Sequence, residues 1–248
     1  PVLHLDLNAE KYDKIEDLNN ILDTFLREWE EEYGSSEGNN PSLSMRFRSV
    51  IRSAKQKTGR GAVVLVDEYD KPILQAIGNE PLQDEFRNAL KAFYGVLKSA
   101  DADLRFTLLT GVTKFGKVSV FSDLNNLKDI STSPKFHDIC GISEAELHRF
   151  FDEQVENLAI YNKQTKDEAY EELKRRYDGY HFCEDTDGLY NPFSLLWTLS
   201  ENKYGNYWFA TGTPTYLVEL LKKKDFKLEE FSNLEVSQDE LDSIHQAD

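Results

Sequence analysis

Two adjacent carboxylates at the end of an apolar stretch are the strongest sign of chemistry in this chain. Residues 62–66 are apolar and mostly β-branched, and they lead directly to Asp67 and Glu68. Such a stretch is typical of a strand covered on both faces in a parallel sheet. Successive side chains of a strand point to opposite faces, so one carboxylate could hold a magnesium ion through water while the other polarises a second water. The structural alternative is a solvated acidic turn.

A small hydroxyl side chain ends the next predicted strand. Residues 105–109 predict this strand, and Thr110 follows it. Ligands of open α/β sheets bind beyond the carboxyl ends of the strands, where Thr110 would lie close to Asp67. Its position fits the sensor 1 residue of ATPases, which orients the attacking water, and Thr113 is the second candidate for that role. Hydroxyls satisfied within a strand-end turn are the structural alternative for both.

The sequence lacks a convincing loop to hold the phosphates of a nucleotide. Only residues 111–117 match the glycine and lysine spacing of a P-loop, and Val118 then stands where a Ser or Thr hydroxyl must reach magnesium. This segment also follows the carboxylate strand, whereas a P-loop precedes it. We therefore expect that residues 111–117 do not bind phosphate.

A nuclease site is another interpretation of the same segment, since Asp70 adds a third carboxylate and Lys71 follows it. Restriction-type sites need an acid two residues before the lysine, and Tyr69 occupies that position. Two-metal chemistry from the crowded acids Asp67, Glu68 and Asp70 stays open as an alternative.

The elements that must position these side chains alternate between helices and strands. Apolar runs predict strands at residues 1–7, 62–66 and 105–109, and helical periodicity predicts helices at 13–33, 45–60 and 81–99. Helices that alternate with buried strands are typical of an α/β fold with a parallel sheet.

The predicted helix at 45–60 is strongly basic and contains no acid. Its basic residues are Arg46, Arg48, Arg52, Lys55, Lys57 and Arg60, and its apolar residues at helical spacing are Phe47, Val50, Ile51 and Ala54. The basic residues could face an anion. We interpret them instead as the solvated face of an amphipathic helix.

After about Pro134 the sequence predicts a second, helical domain. Two capping boxes and two polar–proline pairs predict helix starts at Ser143 with Glu146, Thr165 with Glu168, Asn191 with Pro192, and Thr213 with Pro214. The first two helices are predicted to end at Ile160 and Tyr177. We therefore predict an α/β domain at residues 1–134 and a helical satellite domain at 135–248.

Composition limits the classes of partner. The 248 residues carry 29 Lys and Arg against 45 Asp and Glu, which gives a net charge of −16. Because non-specific nucleic-acid binding depends on basic side chains, we expect no strong nucleic-acid binding by this chain. No apolar run is long enough to span a membrane, and Cys140 and Cys183 are too few for a disulfide framework. We expect a cytoplasmic protein.

Six longer motifs follow one another along the chain. They are VLVDEYDKP at 64–72, LTGVTKF at 109–115, FSDLNNL at 121–127, YDGY at 177–180, YNPFS at 190–194 and YWFATGTP at 207–214. Together they resemble the bacterial AAA-ATPase-like family, whose members often carry a restriction-endonuclease-like domain at the C-terminus. The resemblance implies a three-layer P-loop NTPase core of the AAA type with a parallel sheet, followed by a helical lid-type domain.

The resemblance also implies ATP and Mg²⁺ as cofactors and gives roles to particular residues. Asp67 would be the magnesium ligand, Glu68 the catalytic base and Thr110 the sensor. Arg175 and Arg176 would be lid arginines that contact a nucleotide phosphate, as sensor 2 residues do. The alternative for this pair is compensation of the dipole at a helix C-terminus.

Members of that family begin with a strand and a P-loop ahead of the segment seen in this sequence. The resemblance therefore implies a fragment that lacks the P-loop and binds ATP poorly, with ATP as the partner of the full-length protein. The sheet would keep an open edge that could pair with another chain, so self-association is a further expectation. The alternative function is a non-catalytic regulatory or partner-binding module on an ATPase-like fold.

Overall fold

The structure is a computed structural model that describes residues 1–35, 41–111, 120, 124, 126–183 and 186–207. Within this part, the chain divides after Leu127 into two compact units. The predicted features at Thr113, Thr213 and Pro214 lie outside the described residues, as does most of the P-loop-like segment 111–117. The domain limits of 1–134 and 135–248 stay a prediction.

Three parallel strands form the sheet of the first unit: β1 (Val2–Asp6), β2 (Ala62–Asp67) and β3 (Leu104–Leu109). Their order in the sheet is β1-β2-β3, and both pairings are parallel. The register sets Asp6 opposite Asp67, so the carboxyl ends of β1 and β2 meet at one edge. Because helices separate the strands along the chain, the predicted α/β fold is confirmed.

The two faces of β2 are buried to different extents. Ala62, Val64 and Val66 are buried, whereas Val63 and Leu65 on the other face are only partly buried. The prediction that both faces are covered therefore holds fully for one face and partly for the other.

The third strand is the most exposed of the three. None of its residues is buried, and the Phe106 side chain is 53% exposed. β3 pairs with β2 along one edge, and no described strand pairs with its other edge. Within the described residues, the sheet therefore has an open and partly apolar edge at β3.

Five described α-helices belong to the first unit: α1 (Ile15–Tyr33), α2 (Leu43–Thr58), α3 (Lys71–Gln75), α4 (Glu80–Tyr94) and α5 (Val96–Ser99). One hydrophobic core joins strands to helices, and it includes Leu5, Val64, Leu22, Phe47 and Phe86. The helices thus pack their apolar sides against the sheet, which fixes the strands whose ends carry the candidate residues.

The prediction of a single helix at 81–99 is wrong. The α-helix is interrupted at Gly95, which lies between α4 and α5. The N–H of Gly95 donates to the carbonyls of Lys91 and Phe93, which tightens the last turn of α4. Glycine supports an α-helix less well than any residue except proline, so it is a natural position for this break.

The second helix is amphipathic, as predicted, and Arg48, Arg52 and Lys57 lie on its exposed face, whereas Arg46 and Lys55 are only partly exposed. Its buried apolar residues include Phe47, Val50, Ile51 and Ala54. Arg46 pairs with Asp23 and Glu30 of α1, and Lys55 lies 3.0 Å from Asp103. These bonds connect α2 with neighbouring segments of the same unit.

Four described α-helices belong to the second unit: α6 (Glu144–Phe150), α7 (Asp152–Asn162), α8 (Lys166–Tyr177) and α9 (Pro192–Glu201). Both predicted capping boxes are confirmed. The Ser143 hydroxyl accepts from the N–H of Glu146 while the Glu146 carboxylate accepts from the N–H of Ser143. Thr165 and Glu168 make the same pair of bonds.

The prediction of one helix from Ser143 to Ile160 is wrong, because this segment forms two helices, α6 and α7. Phe151, with φ −124° and ψ 12°, separates α6 from α7, and its N–H donates to the carbonyl of Leu147. The polar–proline start is confirmed, since the side chain of Asn191 accepts from the N–H of Ser194.

Among the described residues, no helix is both long enough and apolar enough to cross a membrane.

Candidate functional site

Thr110 bonds to Asp67 at the carboxyl edge of the sheet. Its Oγ1 donates a hydrogen bond to Oδ1 of Asp67 over 2.5 Å. The backbone fixes this contact, because the N–H of Thr110 donates to the carbonyl of Val66 and the N–H of Tyr69 donates to the carbonyl of Thr110, each over 2.9 Å. The pairing of β2 with β3 thus brings together two side chains that lie 43 residues apart in sequence.

Asp67 suits a magnesium ion that keeps part of its water shell. Its side chain is exposed, and Oδ1 accepts from Thr110 and, over 3.1 Å, from the N–H of Glu68. Oδ2 has no bonding partner among the described residues. Magnesium prefers oxygen ligands and takes one or two carboxylates, with waters and phosphate oxygens completing its shell. A single carboxylate whose Oδ2 makes no bond to another described residue therefore fits this ion.

The described residues of the first unit form no metal cage made of protein side chains alone. Within the described ranges, no group of three or more His, Cys, Asp or Glu side chains is placed to hold a metal ion.

The backbone of Glu68 is strained. Its φ of 51° lies in the left-handed region, which costs a non-glycine residue on the order of 1 kcal/mol or more. Two hydrogen bonds hold the turn, from the N–H of Lys71 to the carbonyl of Glu68 and from the N–H of Tyr69 to the carbonyl of Thr110. Strained residues cluster at functional sites, so this observation supports a role for Glu68.

Asp70 is buried rather than open to a ligand, because only 1% of its surface is exposed. It precedes α3, and its carbonyl accepts from the N–H of Leu74 over 3.0 Å. Burial, together with the charge of Asp70, raises the pKa of the neighbouring Tyr69. Within the described residues, Asp67, Glu68 and Asp70 are not placed together to hold a metal ion, so the structure does not support the two-metal alternative.

The side chains of Arg175 and Arg176 lie in the last turn of α8, in the second unit, and both bind Glu172. Arg175 donates to the two carboxylate oxygens over 2.9 and 2.6 Å, and Nε of Arg176 donates to one of them. The guanidinium of Arg176 lies 5.2 Å from the ring centre of Tyr204. Phosphate binding by the two arginines stays a prediction.

The charge of both guanidinium groups acts on Glu172. Hydrogen bonds from Arg175 and then Arg176 lower the pKa of the Glu172 carboxyl to about 2. Cationic side chains in the last turn also complement the helix dipole. Arg175, whose side chain is 65% exposed, is the more accessible of the two.

Lys71 and Asn8 lie next to the candidate site; the sequence pointed to Lys71 only in the nuclease interpretation and did not point to Asn8. Nζ of Lys71 lies 3.4 Å from Oε2 of Glu68 and donates to Oδ1 of Asn8 over 2.8 Å. The spacing of three residues between Glu68 and Lys71 was a visible signal. The contact with Asn8 depends on the pairing of β1 with β2, which no local pattern shows.

Comparison with known proteins adds two findings. Residues 1–121, which include Asp67, Glu68 and Thr110, match the model of a family described as predicted AAA-ATPase. An uncharacterized protein in the vnfD 5′ region of Azotobacter chroococcum mcd 1 is 40% identical over 179 residues, which are 72% of this chain. The aligned part is 32% of that relative's own length. No solved structure matches the chain.

Proposed function

We propose that the chain is part of an enzyme that hydrolyses ATP with magnesium, because residues 1–121 match the AAA-ATPase-like family model. The observation that carries this proposal is the hydrogen bond from Thr110 to Asp67, beside the strained Glu68. These residues lie at the carboxyl ends of neighbouring parallel strands, where open α/β sheets bind their ligands.

Asp67 is the proposed magnesium ligand, acting through water. When bound with ATP, the ion neutralises charge on the phosphate oxygens. Thr110 fixes Oδ1 of Asp67, which leaves Oδ2 as the oxygen for the hydrated ion. Because the Thr110 hydroxyl uses its hydrogen to donate to Asp67, its oxygen lone pairs are left to accept a hydrogen bond from the attacking water, which is the role of a sensor.

Glu68 is the proposed general base. It accepts the proton of the attacking water, and such catalysis contributes about 10²–10⁴ in rate. Lys71 contacts Oε2 of Glu68 at 3.4 Å, so Oε1 is the oxygen left for the water. The arginines Arg175 and Arg176 are the proposed phosphate contacts of the second unit, and they would have to leave Glu172 to serve in that way.

The first unit is the proposed P-loop NTPase-type core, and the helical second unit is the proposed lid-type domain. The open edge of β3, with Phe106 53% exposed, supports the pairing of a further strand that carries the phosphate-binding loop. Without that strand the chain would bind ATP poorly. A second copy of the chain is the other proposed partner for this edge.

The test is ATP hydrolysis by the full-length protein, with wild type compared with Glu68→Gln. We expect the substitution to abolish turnover while binding of magnesium-ATP survives. Glu85→Gln makes the same charge change at an exposed position of α4 and should retain the wild-type rate. A full-length protein that binds no nucleotide would overturn the proposal in favour of a regulatory or partner-binding module.

A further inference from the structure

The carboxylates of Asp67 and Glu68 are linked to residues that follow the two different strands next to β2. Asp67 accepts a hydrogen bond from Thr110, which follows β3. The carboxylate of Glu68 contacts the ammonium of Lys71, and the same ammonium donates to Asn8, which follows β1. Strand β2 therefore ends at Asp67 and is followed by Glu68. Asp67 is linked to the end of β3, and Glu68 is linked through Lys71 to the end of β1.

The position of Lys71 is itself fixed from two directions. Lys71 is the first residue of α3, and its N–H donates to the carbonyl of Glu68 over 3.0 Å. Its Nζ is anchored on Oδ1 of Asn8, whose N–H donates to Oδ1 of Asp6 over 2.8 Å. A chain of bonds thus runs from the carboxyl end of β1 through Lys71 to the carboxylate of Glu68.

We propose that Lys71 is a positioning residue for Glu68: its ammonium, anchored on Asn8, holds Oε2 of Glu68 and leaves Oε1 to accept the proton of the attacking water. This inference rests on the proposed function, in which Glu68 is the base. Lys71 acts through Glu68 and needs no contact with the nucleotide.

The contact between Lys71 and Glu68 is suited to orientation more than to stability. The two side chains are 28% and 29% exposed, and partly exposed ion pairs add little to folding stability. A carboxylate on a flexible side chain has several orientations, and a misplacement of about 1 Å at a reacting centre lowers the rate by about 100-fold. The contact of Lys71 with Oε2 holds the Glu68 side chain in the orientation in which Oε1 can accept the proton of the water.

The first test is steady-state ATP hydrolysis by the full-length protein. We expect Lys71→Met to lower kcat by about 10- to 100-fold, with the KM for ATP within about twofold of wild type. Lys71→Arg keeps a cation at this position and should recover most of the loss, and Asn8→Ala should fall between wild type and Lys71→Met. Lys11→Met removes the same charge from an exposed pair with Asp13 and serves as the control.

A wild-type kcat in Lys71→Met, or a rise in KM at unchanged kcat, would overturn the proposal. Either result would mean that Lys71 does not set the geometry of the base. Failure of Lys71→Arg to recover activity would overturn it as well, since the cation would then be irrelevant.

The second test needs no activity and uses backbone hydrogen exchange. We expect Lys71→Met and Glu68→Gln each to speed exchange of the amides at 69 and 71, and the double variant to add nothing further, because both changes break one contact. Unchanged exchange, or effects that simply add, would contradict the proposal. If the full-length protein hydrolyses no ATP, the proposed function fails, while non-additive exchange would still support Lys71 as the residue that positions Glu68.

Discussion

Gly111 and Asp70 approach each other so closely that a Cβ on Gly111 would lie 2.7 Å from Oδ1 of Asp70. The same Cβ would lie 2.6 Å from Cε1 of Tyr69. Both neighbours are buried, so neither can move aside without disturbing the packing of the first unit. The residue after Thr110 must therefore be glycine for the carboxyl edge to keep its present form.

Gly111→Ala should destabilise the protein by about 1–3 kcal/mol, because the added methyl group overlaps buried atoms. Urea unfolding of the two proteins measures the difference. Gly205→Ala is a suitable control, since the nearest atoms to its Cβ belong to the side chain of Tyr207, at 3.1 Å or more. Equal stability of Gly111→Ala and wild type would show that the close approach is not real.

Thr110→Val should weaken magnesium use by the full-length protein. It removes the hydrogen bond to Asp67 while nearly keeping the shape of the side chain. A hydrogen bond to a charged group contributes about 1.5–3 kcal/mol, so the magnesium concentration for half-maximal hydrolysis should rise at least about tenfold. Thr110→Ser keeps the hydroxyl and should stay near wild type. Identical magnesium curves for Val and Thr at 110 would refute the assigned contact.

Glu172 should contribute stability that depends on pH. Its hydrogen bonds with Arg175 and Arg176 lower its pKa from 4.5 to about 2 in the folded protein. A depressed carboxyl pKa contributes stability that is fully present above the unfolded value and is lost as pH falls through the folded value. Thermal unfolding should therefore show Glu172→Gln to be less stable than wild type at neutral pH, with the difference shrinking from about pH 4.5 towards pH 2.

The neighbouring carboxyl of Glu171 provides the control for this measurement. Glu171→Gln makes the same charge change at an exposed position on α8 and accounts for the loss of one negative charge from this helix. A Glu172→Gln protein whose stability difference is the same at neutral and acidic pH would contradict the assigned ion pairs.

Calorimetric titration of the 248-residue chain with magnesium-ATP should show no low-micromolar binding. Asp6, Asp67 and Glu68 give the carboxyl edge of the described sheet a negative charge, and Lys71 is already engaged by Glu68 and Asn8. A triphosphate would need backbone amides and a free lysine to offset that charge. Tight binding by this chain would show that its own residues supply such a cradle.

Features encoded by neighbouring residues were predictable from the sequence. The capping boxes at Ser143 and Thr165 join groups three residues apart, so their bonds follow from the local chain. The apolar run before Asp67 predicted both β2 and its end. The meeting of Thr110 with Asp67 followed from the rule that parallel strands present their carboxyl ends at one edge.

Features that depend on tertiary contacts could not be predicted in this way. Aspartate is rarely buried, so no pattern indicated that Asp70 would lie inside the unit. Phe151 carries no helix-breaking signal, yet the chain bends there between α6 and α7. The link from Lys71 to Asn8 spans 63 residues and exists only because β1 pairs with β2 in the observed register.

At position 68, the left-handed backbone favours a different side chain from the acid that the proposed reaction needs. Glycine and asparagine adopt a φ of 51° with less strain than glutamate does. Variants chosen for heat resistance alone should drift towards those smaller residues at this position, while variants chosen for turnover should keep the acid. In a library of variants at position 68, the more stable variants should then be the less active ones.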